Sequence, residues 1–275
     1  MSGRIRWAFG LVSVLSLGNP AQAVEVCQYA GMASHRGRAA VQTEVTQAGG
    51  LLTVNVLARL DAAPWRLWDV QFLAQEVSTW RNGELQSVAV NGRYSVNGRA
   101  KRQQWDVFAR TPEGLQATRV QAKTLRDFQR RHPAFTAYWD PAQFGRPWLA
   151  DYPAAQPERR TDLDLPHAAM PAGTRTPFAL AFYWSRWLPA AGGTVPVFLP
   201  GWKRDARVDA PVTPVAPGRW RMALRHPALG DAPSWAEAVV SADHRLLRLT
   251  FDVHAPAGDG QGWVDGTGCQ GTPLP

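Results

Sequence analysis

Apolar residues recur at every second position through much of the first half of the chain. Leu52, Val54, Val56, Ala58 and Leu60 alternate with Thr53, Asn55 and Arg59, the period of a strand with one buried face. After Pro64, Trp68, Val70, Phe72, Ala74 and Trp80 share one parity, and Asp69, Gln71, Gln75 and Thr79 share the other. Asn82-Gly83, Asn91-Gly92 and Asn97-Gly98 tolerate the positive φ of tight hairpin turns, so each predicts a strand boundary. Further strands are expected at 84–90, at 104–109 with Trp105 and Val107 facing inward, and at 115–121. Together these predict an antiparallel meander over residues 24–122.

The pattern changes between Lys123 and Thr176, where Pro, Asp, Arg and aromatics replace the alternation. This reads as a long irregular crossover. A short helix fits 125–130, Asp140-Pro141 has the form of a helix cap with a first-turn proline, and 156–175 reads as a polar surface loop. Thr176-Pro177 then opens a helix from Phe178 to about Leu188, stopped by Pro189 and Gly192-Gly193. That helix is apolar nearly all round, with Phe178 and Phe182 on one side and Leu180, Trp184, Trp187 and Leu188 on the other. It must be covered on several faces, so it is expected against or inside the sheet. A second meander follows, with strands at 195–199, 203–208, 219–225, 235–242 and 245–253. The Gly-rich tail from Ala255 has only Trp263 and Cys269 as anchors.

The first 23 residues differ from all of this. Arg4 and Arg6 precede an apolar run from Trp7 to Leu17, then Gly18, Asn19, Pro20 and Ala21-Gln22-Ala23. A basic start, an apolar core too short to span a bilayer and a small-x-small ending form a secretory signal peptide, with cleavage expected after Ala23. Residues 24–275 would then be a single β-rich domain in the periplasm, or outside the cell, that does not span the membrane. Loss of Arg4 and Arg6 lowers the formal net charge of +8 by two. The remaining basicity suits anionic glycans or lipid headgroups. Of the 30 basic residues all but Lys101, Lys123 and Lys203 are Arg, a genomic bias, and nucleic acid is not an expected partner for an exported protein. A composition 45% hydrophobic and 19% charged, with 13 Trp, excludes a disordered tail or a coiled coil.

Little in the chain speaks for catalysis. The six histidines are dispersed without metal-ligand spacing, no nucleophile elbow or phosphate loop occurs, and no cofactor or metal is implied. Asp243-His244 with Ser241 nearby suits a turn better than a relay, because strand neighbours point to opposite faces. Asp162 and Asp164 share a parity beside Arg159 and Arg160, where solvated ion pairing is the economical reading. Two cysteines only, Cys27 and Cys269, in an exported chain most economically form one disulfide. Closing so long a loop would stabilise the fold by roughly 5 kcal/mol in the chain-entropy model. Free buried thiols and an intermolecular bridge are the alternatives.

Two stretches carry a resemblance. Ala137-Tyr138-Trp139-Asp140-Pro141, after the Thr79–Leu85 hairpin, resembles a segment of an uncharacterised family of exported bacterial proteins. The half from Pro177 through Leu246 is similar to a related domain of unknown function, with an apolar helix after the crossover and a closing strand, Ser/Asp turn, strand. Both groups resemble the LolA and LolB lipoprotein-sorting fold. The resemblance implies a mainly β fold, a curved antiparallel half-barrel wrapped around a short apolar helix, and it brings no catalytic residue.

The surplus of Trp, the basic charge and this resemblance together lead to an expected function: binding or carrying an apolar or amphipathic envelope ligand, such as an acyl chain, without catalysis. Trp68, Phe72, Trp80 and Trp105 would line the sheet side of the hollow and Phe182, Trp184 and Trp187 the helix side. One alternative is a structural or partner protein of an envelope assembly. A glycan hydrolase or lyase is another, using Asp140, Asp162 or Asp164.

Overall fold

The computed structural model describes residues 23–33, 37–62, 69–97, 99–119, 158–166, 170–200, 207–225, 234–255 and 258–271. Seven strands form the first meander: β1 (Ala23–Ala33), β2 (Gly37–Ala48), β3 (Leu51–Ala62), β4 (Val70–Arg81), β5 (Glu84–Val96), β6 (Arg99–Thr111) and β7 (Gly114–Arg119). β8 (Glu158–Pro166) follows, and then a helix α1 (Pro177–Phe182) with a 3₁₀ turn at Trp184–Trp187. The second meander comprises β9 (Gly193–Phe198), β10 (Arg207–Ala216), β11 (Arg219–Leu224), β12 (Ser234–Val240), β13 (Leu246–Ala255) and β14 (Gly258–Gly271).

All fourteen strands belong to one antiparallel, curved and unclosed sheet, in the order β8-β7-β6-β5-β4-β3-β2-β1-β14-β13-β12-β11-β10-β9. The first and last strands therefore meet at the centre of the sheet, and both edges come from mid-chain. The segment linking those two edges carries α1, which packs against β3 and β13 inside the curve of the sheet. Curvature brings distant strands together: Phe108 on β6 meets Phe198 on β9 edge to face at 4.8 Å, although they stand near opposite ends of the order.

The turns follow their chemistry at two of the three predicted Asn-Gly sites. Asn82 and Gly83 adopt φ of 52° and 77° between β4 and β5, and Asn97 adopts 50° between β5 and β6. Asn91-Gly92 is not a turn; β5 runs through it, paired to Gln75 and Ala74. Flanking β partners on both sides override the local preference there. On β6 the inward parity is also reversed. Asp106 and Phe108 are buried and Val107 is half-buried, because pairing with Val88 puts Phe108 in the core.

Three further expectations change. The polar stretch 158–166 is a strand, paired with β7, so its charge does not prevent edge pairing. The second strand of the later meander is Arg207–Ala216 instead of 203–208, and 203–206 lie outside the described residues. The Gly-rich tail is a full strand, β14, at the centre of the sheet. Its glycines serve close approach: a Cβ on Gly262 would lie 2.7 Å from the Phe251 ring, and one on the facing Gly31 would lie 2.0 Å from the Trp263 carbonyl oxygen.

Cys27 and Cys269 are cross-strand partners on β1 and β14, joined by a disulfide with a Cα separation of 4.1 Å. The bond staples the seam between the two meanders. The predicted 178–188 helix is shorter than its apolar pattern suggests. Pro189 disfavours helical backbone at Leu188, whose ψ is 141°, and the aromatic residues 182–184 and 187 give little helix propensity to offset that. The chain tightens into the 3₁₀ turn instead.

Candidate functional site

The concave side is built around two buried carboxylates that hold the plug formed by α1 and the 3₁₀ turn. Glu76, mid-strand on β4, lies against the first turn of α1. Thr176 precedes that turn without capping it through its own side chain; the Glu76 carboxylate accepts the Thr176 hydroxyl and the Ala179 N–H, the latter at 3.3 Å. Ser78 Oγ donates to the same oxygen at 3.4 Å. Burial without a cation pushes the Glu76 carboxyl up to about 7, against the lowering effect of these donors.

Glu25 on β1 holds the other end of the plug. Arg186, in the 3₁₀ turn, donates to both of its oxygens at 3.0 and 2.8 Å, and both side chains are buried. The Arg186 guanidinium also lies 4.5 Å from the Tyr183 ring centroid. Tyr29, two residues beyond Cys27 on the same face, packs on Phe182 with ring centroids 5.4 Å apart. Burial raises its phenol to about 12, against the pull of Arg186.

Between these anchors runs an aromatic wall. Trp80 donates its indole N–H to the Thr174 carbonyl at 2.9 Å and stands edge-on to Trp184 at 5.9 Å. Tyr183 contacts Trp184 at 4.7 Å, and the Arg175 guanidinium lies 3.6 Å from the Trp184 ring centroid. Partial burial lowers the Arg175 pKa to about 10. Among the described residues, Trp184 Nε1, Ser185 Oγ, Arg186 Nε and Trp220 Nε1 are buried donors without a hydrogen-bond partner. Native cores seldom leave such groups without an acceptor.

Of the residues expected to line the hollow, Trp80, Phe182 and Trp184 come together on the inner side. Phe72 is 39% exposed; it shares the Trp80 parity but sits toward the far end of β4, opposite Leu60 and Tyr94, away from the plug. Trp187 is 43% exposed and stacks on His244 at 4.7 Å, because the 3₁₀ turn rotates it off the side that Ser185 and Arg186 bury. Trp68 and the side chain of Trp105 lie outside the described residues.

The polar members of the site are Glu25, Glu76, Arg175 and Arg186, of which the helical pattern places Arg186 on the side of Phe178 and Phe182. Glu25 shares the parity of Cys27 and Glu76 that of Phe72, Ala74 and Trp80, which are usable signals even though a carboxylate on a strand ordinarily marks the wet face.

The groups considered for catalysis are not arranged for it where they are described. His244 Nδ1 lies 3.0 Å from the Arg186 carbonyl oxygen, and Ser241 Oγ bonds the Asp243 carboxylate and the Arg245 backbone. The His244 ring and the Ser241 hydroxyl thus have other partners, and the two residues meet through the backbone, His244 N–H donating to the Ser241 carbonyl at 3.0 Å. Asp140 and the side chains of Asp162 and Asp164 lie outside the described residues. Glu25, Cys27 and Cys269 place ligand atoms within 4.8 Å of one another. With both sulfurs bonded to each other and the carboxylate engaged by Arg186, this trio offers a cation no free donor set.

No protein-family model matches the chain, and no curated protein matches it. No helix among the described residues is long and apolar enough to cross a membrane. Among solved structures, the chain is similar to a β-barrel-like protein of the domain of unknown function DUF1849 from Brucella abortus, at 9% identity and a TM-score of 0.54. The match covers 93% of this chain and 99% of that one. At that identity the likeness speaks for the fold: this is a mainly β, β-barrel-like architecture shared with a bacterial protein of unknown function.

Proposed function

We propose that the chain is an exported, non-enzymatic binding protein of the bacterial envelope that holds an apolar or amphipathic molecule on the inner side of its curved sheet. The observation that carries this reading is the wall of Trp80 and Trp184, which ends in buried donors lacking acceptors. A guest with an apolar body and an oxygen-bearing end would satisfy both parts. The signal-like N-terminus and the resemblance to the LolA and LolB half-barrel support the same reading. In it the segment before Val24 directs export and is removed, and Trp80, Phe182 and Trp184 are the residues nearest the guest. The test is solvent extraction of protein purified from bacterial envelopes without detergent, followed by lipid mass spectrometry. A stoichiometric lipid or acyl compound is expected; a lipid-free protein overturns the reading.

A second reading, a structural partner in an envelope assembly, is favoured by the full burial of Trp80, Phe108, Tyr183 and Phe198, which leaves the plugged side solid at those positions. Affinity capture would then recover a reproducible, saturable protein partner while no lipid copurifies.

A further inference from the structure

Arg175 is placed unlike the other buried or half-buried arginines of the described residues. Its backbone is pinned to β9, with its N–H on the Pro196 carbonyl at 2.9 Å and its carbonyl accepting from Phe198 at 2.7 Å. Arg186, Arg219, Arg221 and Arg248 each pair with an Asp or Glu carboxylate. Arg175 has no such partner among the described residues; its one hydrogen bond is to the Thr174 carbonyl at 3.4 Å. A guanidinium has five N–H donors, so most of its capacity is unused in a position where burial already disfavours its charge. The ring beneath it, Trp184, has a buried indole N–H without an acceptor, and the adjoining Ser185 hydroxyl is buried and equally unpartnered. A cation stacked on Trp184 and two neutral donors, none of them paired with a carboxylate among the described residues, thus lie between residues 175 and 185.

We propose that Arg175, Trp184 and Ser185 form a binding site for the anionic oxygens of an amphipathic ligand, a carboxylate or a phosphate, whose apolar part lies along the aromatic wall of Trp80 and Trp184. The proposal rests on the carrier reading above and names its ligand class. The guanidinium supplies a planar fork suited to two oxygens, and the indole N–H and hydroxyl complete the set. An anion there removes the cost of a desolvated cation, whereas a neutral alcohol leaves it in place.

The mature chain is titrated by calorimetry with dodecyl phosphate, dodecanoate and dodecanol, all below their aggregation concentrations. At least one anion is expected to bind ten times or more tightly than dodecanol, and the preferred arm tells phosphate from carboxylate. R175Q is expected to bring that anion down to the dodecanol level with dodecanol unchanged, R175K to recover only part, and R248Q to behave as wild type. Equal wild-type binding of anions and alcohol overturns the site while the carrier reading stands, and needs no variant, so a misfolded R175Q does not spoil the test. A folded R175Q that keeps the preference also overturns it. Absence of binding by all three probes overturns the carrier reading and the site together.

Discussion

Glu25 and Glu76 are both buried at the plug, yet they depend on different partners. Glu76 has neutral donors only, and its carboxyl is raised from 4.5 to about 7. A folded-state pKa above the unfolded one means that the native protein holds this proton more tightly. Its stabilising contribution is fully present below about pH 4.5 and is lost as the pH rises through about 7, a change of about 3 kcal/mol. Urea unfolding of E76Q between pH 4.5 and 8 should therefore lack a decline that the wild type shows; an identical slope in both would contradict this. Glu25 instead faces a cation. E25Q leaves Arg186 buried without its counter-charge, so a loss of about 3–5 kcal/mol is expected from the same unfolding measurement. Parity places both acids on the face of Cys27 or Trp80, but their partners could not be read from the sequence, because alternation does not say whether that face meets a cation, a helix or water. Trp80 was legible, since large apolar residues of one parity have few places to go.

At the scale of elements, the seam between β1 and β14 carries the strongest predictions. C27S/C269S removes a bond between positions 242 apart, and a loss of up to roughly 5 kcal/mol is expected, seen as a lower urea midpoint for the variant than for the oxidised wild type. G31A would force a Cβ against the Trp263 carbonyl oxygen; a loss of about 2 kcal/mol or more should appear in the thermal midpoint. The disulfide was legible from cysteine number and the signal-like N-terminus. The strand character of the tail was not, because glycine lowers β propensity wherever its purpose, close approach of neighbouring backbone, is invisible. The helix was legible in place but not in length: Thr176-Pro177 marks its start, whereas its end depends on Pro189 and on Arg186 reaching Glu25. β8 was missed for a similar reason, as its ERRTDLDLP sequence has the composition of a loop and its partner β7 supplies the order.

For the molecule as a whole, alternation and turns led to two antiparallel meanders, and the curved sheet was what the resemblance to the half-barrel fold implied. They did not reveal that the ends of the chain meet at its centre, apart from the hint given by two distant cysteines. That topology has a functional consequence. Both sheet edges arise mid-chain, and the segment joining them packs against the inner side, so the candidate site consists of a wall from β4 and a plug carrying Arg175, Trp184 and Arg186. In the proposed carrier, this inner side holds a guest. Native mass spectrometry of the mature protein, purified from bacterial envelopes without detergent, tests it most directly. The predicted spectrum shows one discrete added mass per chain, released on unfolding and assignable to an amphipathic molecule; a spectrum with only the mass of the disulfide-bonded polypeptide contradicts it.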